Sequence, residues 1–210
     1  KDILSLSIYK ESIDARKRGE INFIYTVDIT VVDEHKFLTG KFKHVAVTPD
    51  LAYQNPKKGD KQLTSRPVVV GFGPAGMYAA LLLAQMGYKP LVLERGEAVD
   101  ERVKSIDAFW QKGKLNPKSN VQFGEGGAGT FSDGKLTSRV KDLRGRKVLT
   151  ELVNAGAPEE ILYKAHPHVG TDLLRDIVKN IRKEIIKLGG EVRFDTQVKQ
   201  VNLEQQQLKS

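Results

Sequence analysis

No cysteine occurs in the 210 residues of the chain. Disulfides, thiolate zinc sites and a cysteine nucleophile are therefore excluded, and a reducing, cytoplasmic setting is expected. No apolar run approaches the ~20 residues that a membrane helix needs. The opening KDILSLSIYKESIDAR also lacks the basic-then-apolar layout of a signal peptide, so no membrane partner is expected. What is present suffices for a real core: 40% of the residues are hydrophobic.

Basic residues outnumber acidic ones, 34 to 26, for a net charge of +8. Such an excess suits phosphate-rich partners. The densest basic group is Lys135, Arg139, Lys141, Arg144, Arg146 and Lys147, and no aromatic residue lies between these charges to stack on bases. The group is read as a solvated loop, with a phosphate-bearing ligand as the alternative, and nucleic acid is not an expected partner.

The same region contains FGEGGAGTFSDGKL, in which Gly129, Gly134 and Lys135 fall at the spacing of a triphosphate-binding loop. That loop needs Ser or Thr after the lysine to ligate magnesium, and Leu136 stands there instead. A strand should also precede it, whereas residues 120–128 are polar and glycine-rich. The match is rejected, which leaves the glycine run unexplained.

Two organisational blocks emerge along the chain. Leu4, Leu6 and Ile8, then Ile21, Phe23, Tyr25, Val27, Ile29 and Val31, alternate with more polar neighbours, and the basic stretch from Arg16 to Gly19 supplies a turn. This predicts two antiparallel, half-buried strands in a small N-terminal α/β module over residues 1–60. A polar stretch from Pro49 to Arg66 reads as a linker.

Beyond it, RPVVVGFGPAGMYAALLLAQMGYKPLVLERG predicts a buried strand at Val68 to Val70, a glycine turn, a helix from about Ala75 to Met86 stopped by Gly87, and a second strand at Pro90 to Leu93. A weaker helical pattern covers residues 99–112, and residues 113–147 read as mostly irregular. Leu174, Ile177, Val178, Ile181, Ile185 and Leu188 mark one face of a helix ended by Gly189 and Gly190. Strands are expected around Val192 to Phe194 and again through Val198 and Val201. No closing strand and helix follow, so the chain is expected to be part of a longer protein.

Gly71, Gly73 and Gly76 form G-x-G-x-x-G between a strand and a helix, answered by Glu94 at the end of the next strand. These are the contextual features of a dinucleotide-binding turn. Gly71 permits the tight turn, Gly73 lets backbone approach a pyrophosphate, and Gly76 lets helix and strand pack closely. The helix amino terminus offers N–H groups and partial positive charge to a diphosphate. Glu94 can accept ribose hydroxyls and repels a 2′-phosphate, which argues against NADP and leaves FAD or NAD.

The run GFGPAGMYAALLLAQMGYKPLVLERG, with Pro74-Ala75 and Glu94-Arg95-Gly96, resembles the FAD site of flavoproteins of the glutathione-reductase type. SNVQFGEGGAGTFSDGKLTSR, HVGTD and the N-terminal SIDARKRGEINFIYTVDI resemble, more closely, the uncharacterised bacterial FAD-dependent dehydrogenase-like proteins described as NAD(FAD)-utilising dehydrogenases. The resemblance implies a doubly wound, Rossmann-like FAD-binding domain over residues 66–210, incomplete at its C-terminal side, with a loop and helix insertion at 97–165.

It also implies cofactor contacts at Gly71, Gly73, Pro74, Ala75 and Gly76 for the pyrophosphate, and at Glu94, with Arg95 beside it, for the ribose. Gly126, Gly127, Ala128 and Thr130 would lie at the flavin or its ribityl-phosphate end, and the backbone of Val198 at the adenine edge. The expected activity is that of a flavin-dependent oxidoreductase on an unspecified substrate, with NAD(P)H as a candidate electron donor. Alternatives are a non-catalytic dinucleotide-binding regulatory module and an RNA-interacting flavoprotein.

No catalytic residue is assigned, and no metal is expected. Asp133 and Lys135 are candidates for steering substrate near the flavin. His166 and His168 read as a loop entering a helix, and Asp172 as a first-turn acid.

Overall fold

The computed structural model describes residues 2–40, 42–137, 142–204 and 207–208. Arg139 and Lys141 of the basic group lie outside them. The chain is mixed α/β and divides into two compact units, one of residues 1–55 with 135–169, the other of residues 56–134 with 170–210. The sequence-based boundary at residues 60–66 falls close to the first crossing between them. The segment 97–165, expected as an insertion in one domain, is shared between both units.

In the first unit, β1 (Ile3–Asp14) and β2 (Asn22–Val31) form the expected antiparallel hairpin, with Leu6 opposite Ile29 and Ile8 opposite Val27. Register shifts between Ile3 and Ser5 and between Ile8 and Lys10 break the strict alternation. The expected half-burial is not seen: Leu6 is 61% and Phe23 57% exposed. Two strands alone give their apolar residues no second layer to pack on.

The short α1 (Glu34–Thr39) is capped by Asp33, whose side chain accepts from the Lys36 amide. The stretch read as irregular, residues 113–147, runs into the start of α4 (Leu143–Asn154), which is capped by Asp142 through the Arg144 amide. A 3₁₀ turn at Glu159–Leu162 follows. The Glu11 amide of β1 donates to the Tyr163 carbonyl just after this turn.

In the second unit, β3 (Val68–Val70), β4 (Leu91–Leu93) and β5 (Glu191–Arg193) form a parallel sheet in that order. α2 (Pro74–Gln85) connects β3 to β4, α3 (Val99–Lys112) follows β4, and α5 (Thr171–Lys187) leads into β5. α2 and α5 pack on each other and on the sheet. Phe72, Ala80, Leu81, Val92, Ile106, Ile177, Ile181 and Ile185 form the core, which matches the apolar stripe read from α5.

Both α2 and α5 end in the same way. Gly87 and Gly189 take positive φ, and their amides and the next ones return to carbonyls of the last turn. The three-valine strand is not buried on both faces: Val70 is 63% exposed. Val69 faces α2, while the side carrying Val68 and Val70 has no covering layer among the described residues.

The strand expected through Val198 and Val201 does not form. Asp195 adopts a left-handed φ of 51°, so the chain turns out of the sheet after its amide bonds Gly96 and the Thr196 amide bonds Glu94. Val198 lies past this kink, outside any strand. The described strand residues beyond it are β6 (Leu203–Glu204) and β7 (Gln207–Leu208), a short antiparallel pair.

Candidate functional site

The first glycine turn lies at the carboxyl end of β3. Gly71 has φ +90° and donates its amide to Leu93 of β4. Phe72 is fully buried, and Gly73 is the extended N-cap of α2, without a side-chain cap. Pro74, at the first helical position, carries no amide hydrogen. The first bond inside the helix runs from Met77 to Gly73, so the amides of Ala75 and Gly76 precede it at the positive end of the helix dipole.

The glycines differ in what they do. A Cβ on Gly76 would stand 2.0 Å from the Gly71 carbonyl oxygen and 3.4 Å from Val69 Cγ1, so this residue lets helix and strand touch. A Cβ on Gly73 would meet only Gly127 Cα, at 3.9 Å. That position is unfilled by protein, as an approach path for a ligand requires.

Glu94 is 4% exposed and braces the turn. One carboxylate oxygen accepts from the Phe72 amide at 2.6 Å and the other from the Gly96 amide at 2.8 Å. Sequence reasoning assigned this carboxylate to a ribose. The structure shows it bonded to the backbone on both sides of the turn, one amide to each carboxylate oxygen. Arg95 stacks on Phe123, 4.0 Å from the ring centroid, and donates to the Pro117 carbonyl.

The unexplained glycine run meets this turn. The Gly126 amide donates to the Phe72 carbonyl at 2.8 Å, and a Cβ on Gly127 would come within 3.1 Å of both Gly73 Cα and Pro74 Cδ. Residues 124–127 are buried, while Ala128 and Gly129 are exposed in the 3₁₀ turn Ala128–Phe131. Thr130 is buried and donates its hydroxyl to the Glu125 carbonyl. The two glycine segments, some fifty residues apart in sequence, thus form one cradle at the amino end of α2. Val198 makes none of the contacts that join them.

Several residues of the cradle escaped sequence reasoning. Glu125 is fully buried: one carboxylate oxygen accepts from the Val99 amide at the start of α3, and the other faces Arg182 Nε at 3.3 Å without hydrogen-bond geometry. Arg102 lies beneath the same loop, and Gly96 and Gly124 are so close that a Cβ on Gly96 would stand 2.5 Å from Gly124 Cα. A signal for Arg102 did exist. It sits on the stripe Val99, Arg102, Ile106, a charge where the helical period calls for an apolar residue.

Burial raises the Glu125 carboxyl above its ordinary value of 4.5, against the lowering pull of the Val99 amide and Arg182. A native value above the unfolded one means that the stabilising contribution is fully present below about 4.5 and is lost as pH rises through the native value. Glu125→Gln, which is always neutral, should therefore gain stability relative to the wild type as pH rises above the ordinary carboxyl value of 4.5. Denaturant midpoints of both proteins at each pH test this; a wild-type advantage that grows toward neutrality would show that Arg182 outweighs burial.

The remaining candidates distribute as follows. Lys135 belongs to the first unit, where its backbone forms an isolated bridge with His168. His166 and His168 are exposed, and no cluster of three or more potential metal ligands occurs among the described residues. Asp172 is exposed in the first turn of α5 and pairs with Arg175 at 3.6 Å. In the basic group, Arg144 pairs with Asp142, Arg146 donates to the Leu162 carbonyl and Lys147 pairs with Glu151, so this part is a capped helix with internal partners, not the solvated loop expected.

The comparisons with known proteins identify no activity. Residues 1–30 match a family described as "Domain of unknown function (DUF8436)". An uncharacterized protein of Clostridium beijerinckii is 50% identical over 211 residues, which cover 100% of this chain and 40% of that relative. The chain thus spans well under half the length of that relative.

Proposed function

We propose that the second unit binds FAD and that the protein is a flavin-dependent oxidoreductase. The observation that carries this proposal is the meeting of the two glycine segments at Gly73 and Gly127, over the amino end of α2. The space beside Gly73 suits a diphosphate, which needs close backbone approach and N–H donors more than it needs side chains. Gly71, Gly73, Pro74, Ala75 and Gly76 would hold the pyrophosphate, Glu94 and Arg95 the ribose side, and Gly126, Gly127, Ala128 and Thr130 the far side of the cradle.

The choice of FAD over NAD rests on the resemblance carried by G-x-G-P-A-G and E-R-G. When bound, FAD would supply the redox step at its own ring, and the protein supplies position and exclusion of water. The chain's contribution is then electrostatic and steric. The α2 dipole and its first-turn amides attract the diphosphate, the glycines allow its approach, and the fixed Glu94 carboxylate orients the ribose and rejects a 2′-phosphate. NAD(P)H is the proposed electron donor, and the substrate is left open by the fold, since a fold does not specify a reaction.

The test is anaerobic addition of NADH or NADPH to the full-length protein reconstituted with FAD. Bleaching of the visible flavin absorption within the time of turnover supports the oxidoreductase. A bound flavin that neither cofactor nor a chemical reductant reduces at useful rates would point to a regulatory module instead.

A further inference from the structure

We propose that Arg102 is a positioning residue for the dinucleotide, fixing the peptide between Glu125 and Gly126 and so holding the second glycine segment on the first. This rests on the assignment of that cradle to a dinucleotide. Arg102 is 0% exposed, and its guanidinium donates to three carbonyls of one loop: Nε to Asn120 at 2.9 Å, one terminal nitrogen to Val121 at 2.9 Å and the other to Glu125 at 2.5 Å.

A planar trans peptide points its C=O and its N–H in opposite directions. The Glu125 carbonyl is held by Arg102, with Thr130 as a second donor, while the Gly126 amide of the same peptide donates to Phe72 in the first glycine turn. Gripping one end of this peptide aims the other end at the turn between Gly71 and Gly73. The left-handed φ values of Gly124, Gly126 and Gly127, +118°, +78° and +65°, leave this loop little intrinsic preference for its shape. Fixed donors must set that shape.

Arg102 also reaches the far end of the same loop. Its guanidinium stacks 4.7 Å from the centroid of Phe131, and Arg175 lies 5.0 Å from the same ring. The buried cation is a costly choice for filling space: burial lowers its pKa to about 10 despite the nearby Glu94 and Glu125 charges. A planar fork that meets three carbonyls is what arginine provides and lysine does not.

The experiment compares Arg102→Lys, which keeps the charge, and Arg102→Met, which keeps the volume, in the full-length protein. FAD affinity is measured by titration and amide hydrogen exchange is mapped without ligand. Both variants are expected to bind FAD about tenfold more weakly or worse. Exchange should accelerate at residues 124–127 while α2 and α5 stay protected. Thr130→Val, which removes the other donor to the Glu125 carbonyl, should weaken binding about threefold.

Unchanged FAD affinity in both arginine variants, or a uniform loss of protection with Thr130→Val binding as wild type, would overturn the proposal and leave Arg102 a stability residue. A wild-type protein that takes up no dinucleotide would overturn it differently, by removing the ligand that the cradle is assigned to. The wild-type titration distinguishes the two failures.

Discussion

Gly76→Ala is expected to disrupt the parallel-sheet unit, while Gly73→Ala, three residues earlier in the same turn, leaves it folded. The added methyl at position 76 would stand 2.0 Å from the Gly71 carbonyl oxygen, a backbone atom that cannot swing aside as a side chain can. Either α2 lifts off β3 or the turn opens, and both movements separate Met77, Ala80 and Val92 from the packed core. Overpacking that forces backbone to shift costs about 1–3 kcal/mol. At position 73 the nearest atom is 3.9 Å away and φ is −74°, which suits any residue. Thermal or denaturant unfolding of the two variants decides the matter, and equal stabilities would show that the contact between α2 and β3 is looser than described.

Gly73→Val is expected to abolish dinucleotide binding and preserve the fold. The space that makes position 73 tolerant of a Cβ, 3.9 Å from Gly127 Cα, is the space assigned to the diphosphate, so a branched side chain there competes with the ligand. An affinity loss of about 100-fold or more is expected, equivalent to about 2.7 kcal/mol. The unfolding midpoint should stay within a few degrees of wild type. Calorimetric titration with FAD beside a melting curve reads both numbers. Stoichiometric FAD in a folded Gly73→Val protein would refute the assigned pose.

The most local features were the most legible. The strand, glycine turn, helix and second strand from Val68 to Leu93 follow from spacing alone, as does the buried stripe of α5, because both depend on neighbours within a few residues. α4 was hidden because Gly145 near its start and the surrounding lysines and arginines resemble a loop, and because its stability comes from the Asp142 cap and from ion pairs that composition does not reveal. Val198 was misplaced into a strand because nothing in DTQVKQVN announces the left-handed turn at Asp195.

The cradle itself divides the same way. Gly71, Gly73, Gly76 and Glu94 were readable as a pattern, but the contact between Gly73 and Gly127 spans more than fifty residues, and no periodicity reports it. Glu94 was read as a ligand group, and its two backbone bonds to Phe72 and Gly96 became visible only in three dimensions. The three-valine run promised a strand covered on both sides, yet a sequence run cannot say what covers Val68 and Val70.

Whether the cradle holds FAD is decided by the cofactor content of the full-length protein, taken from its visible absorption spectrum as purified or after reconstitution. Flavin bands and FAD stoichiometric with chain are expected, released only on unfolding and lost in Gly73→Val. A folded, colourless full-length protein that takes up no FAD from solution would contradict it.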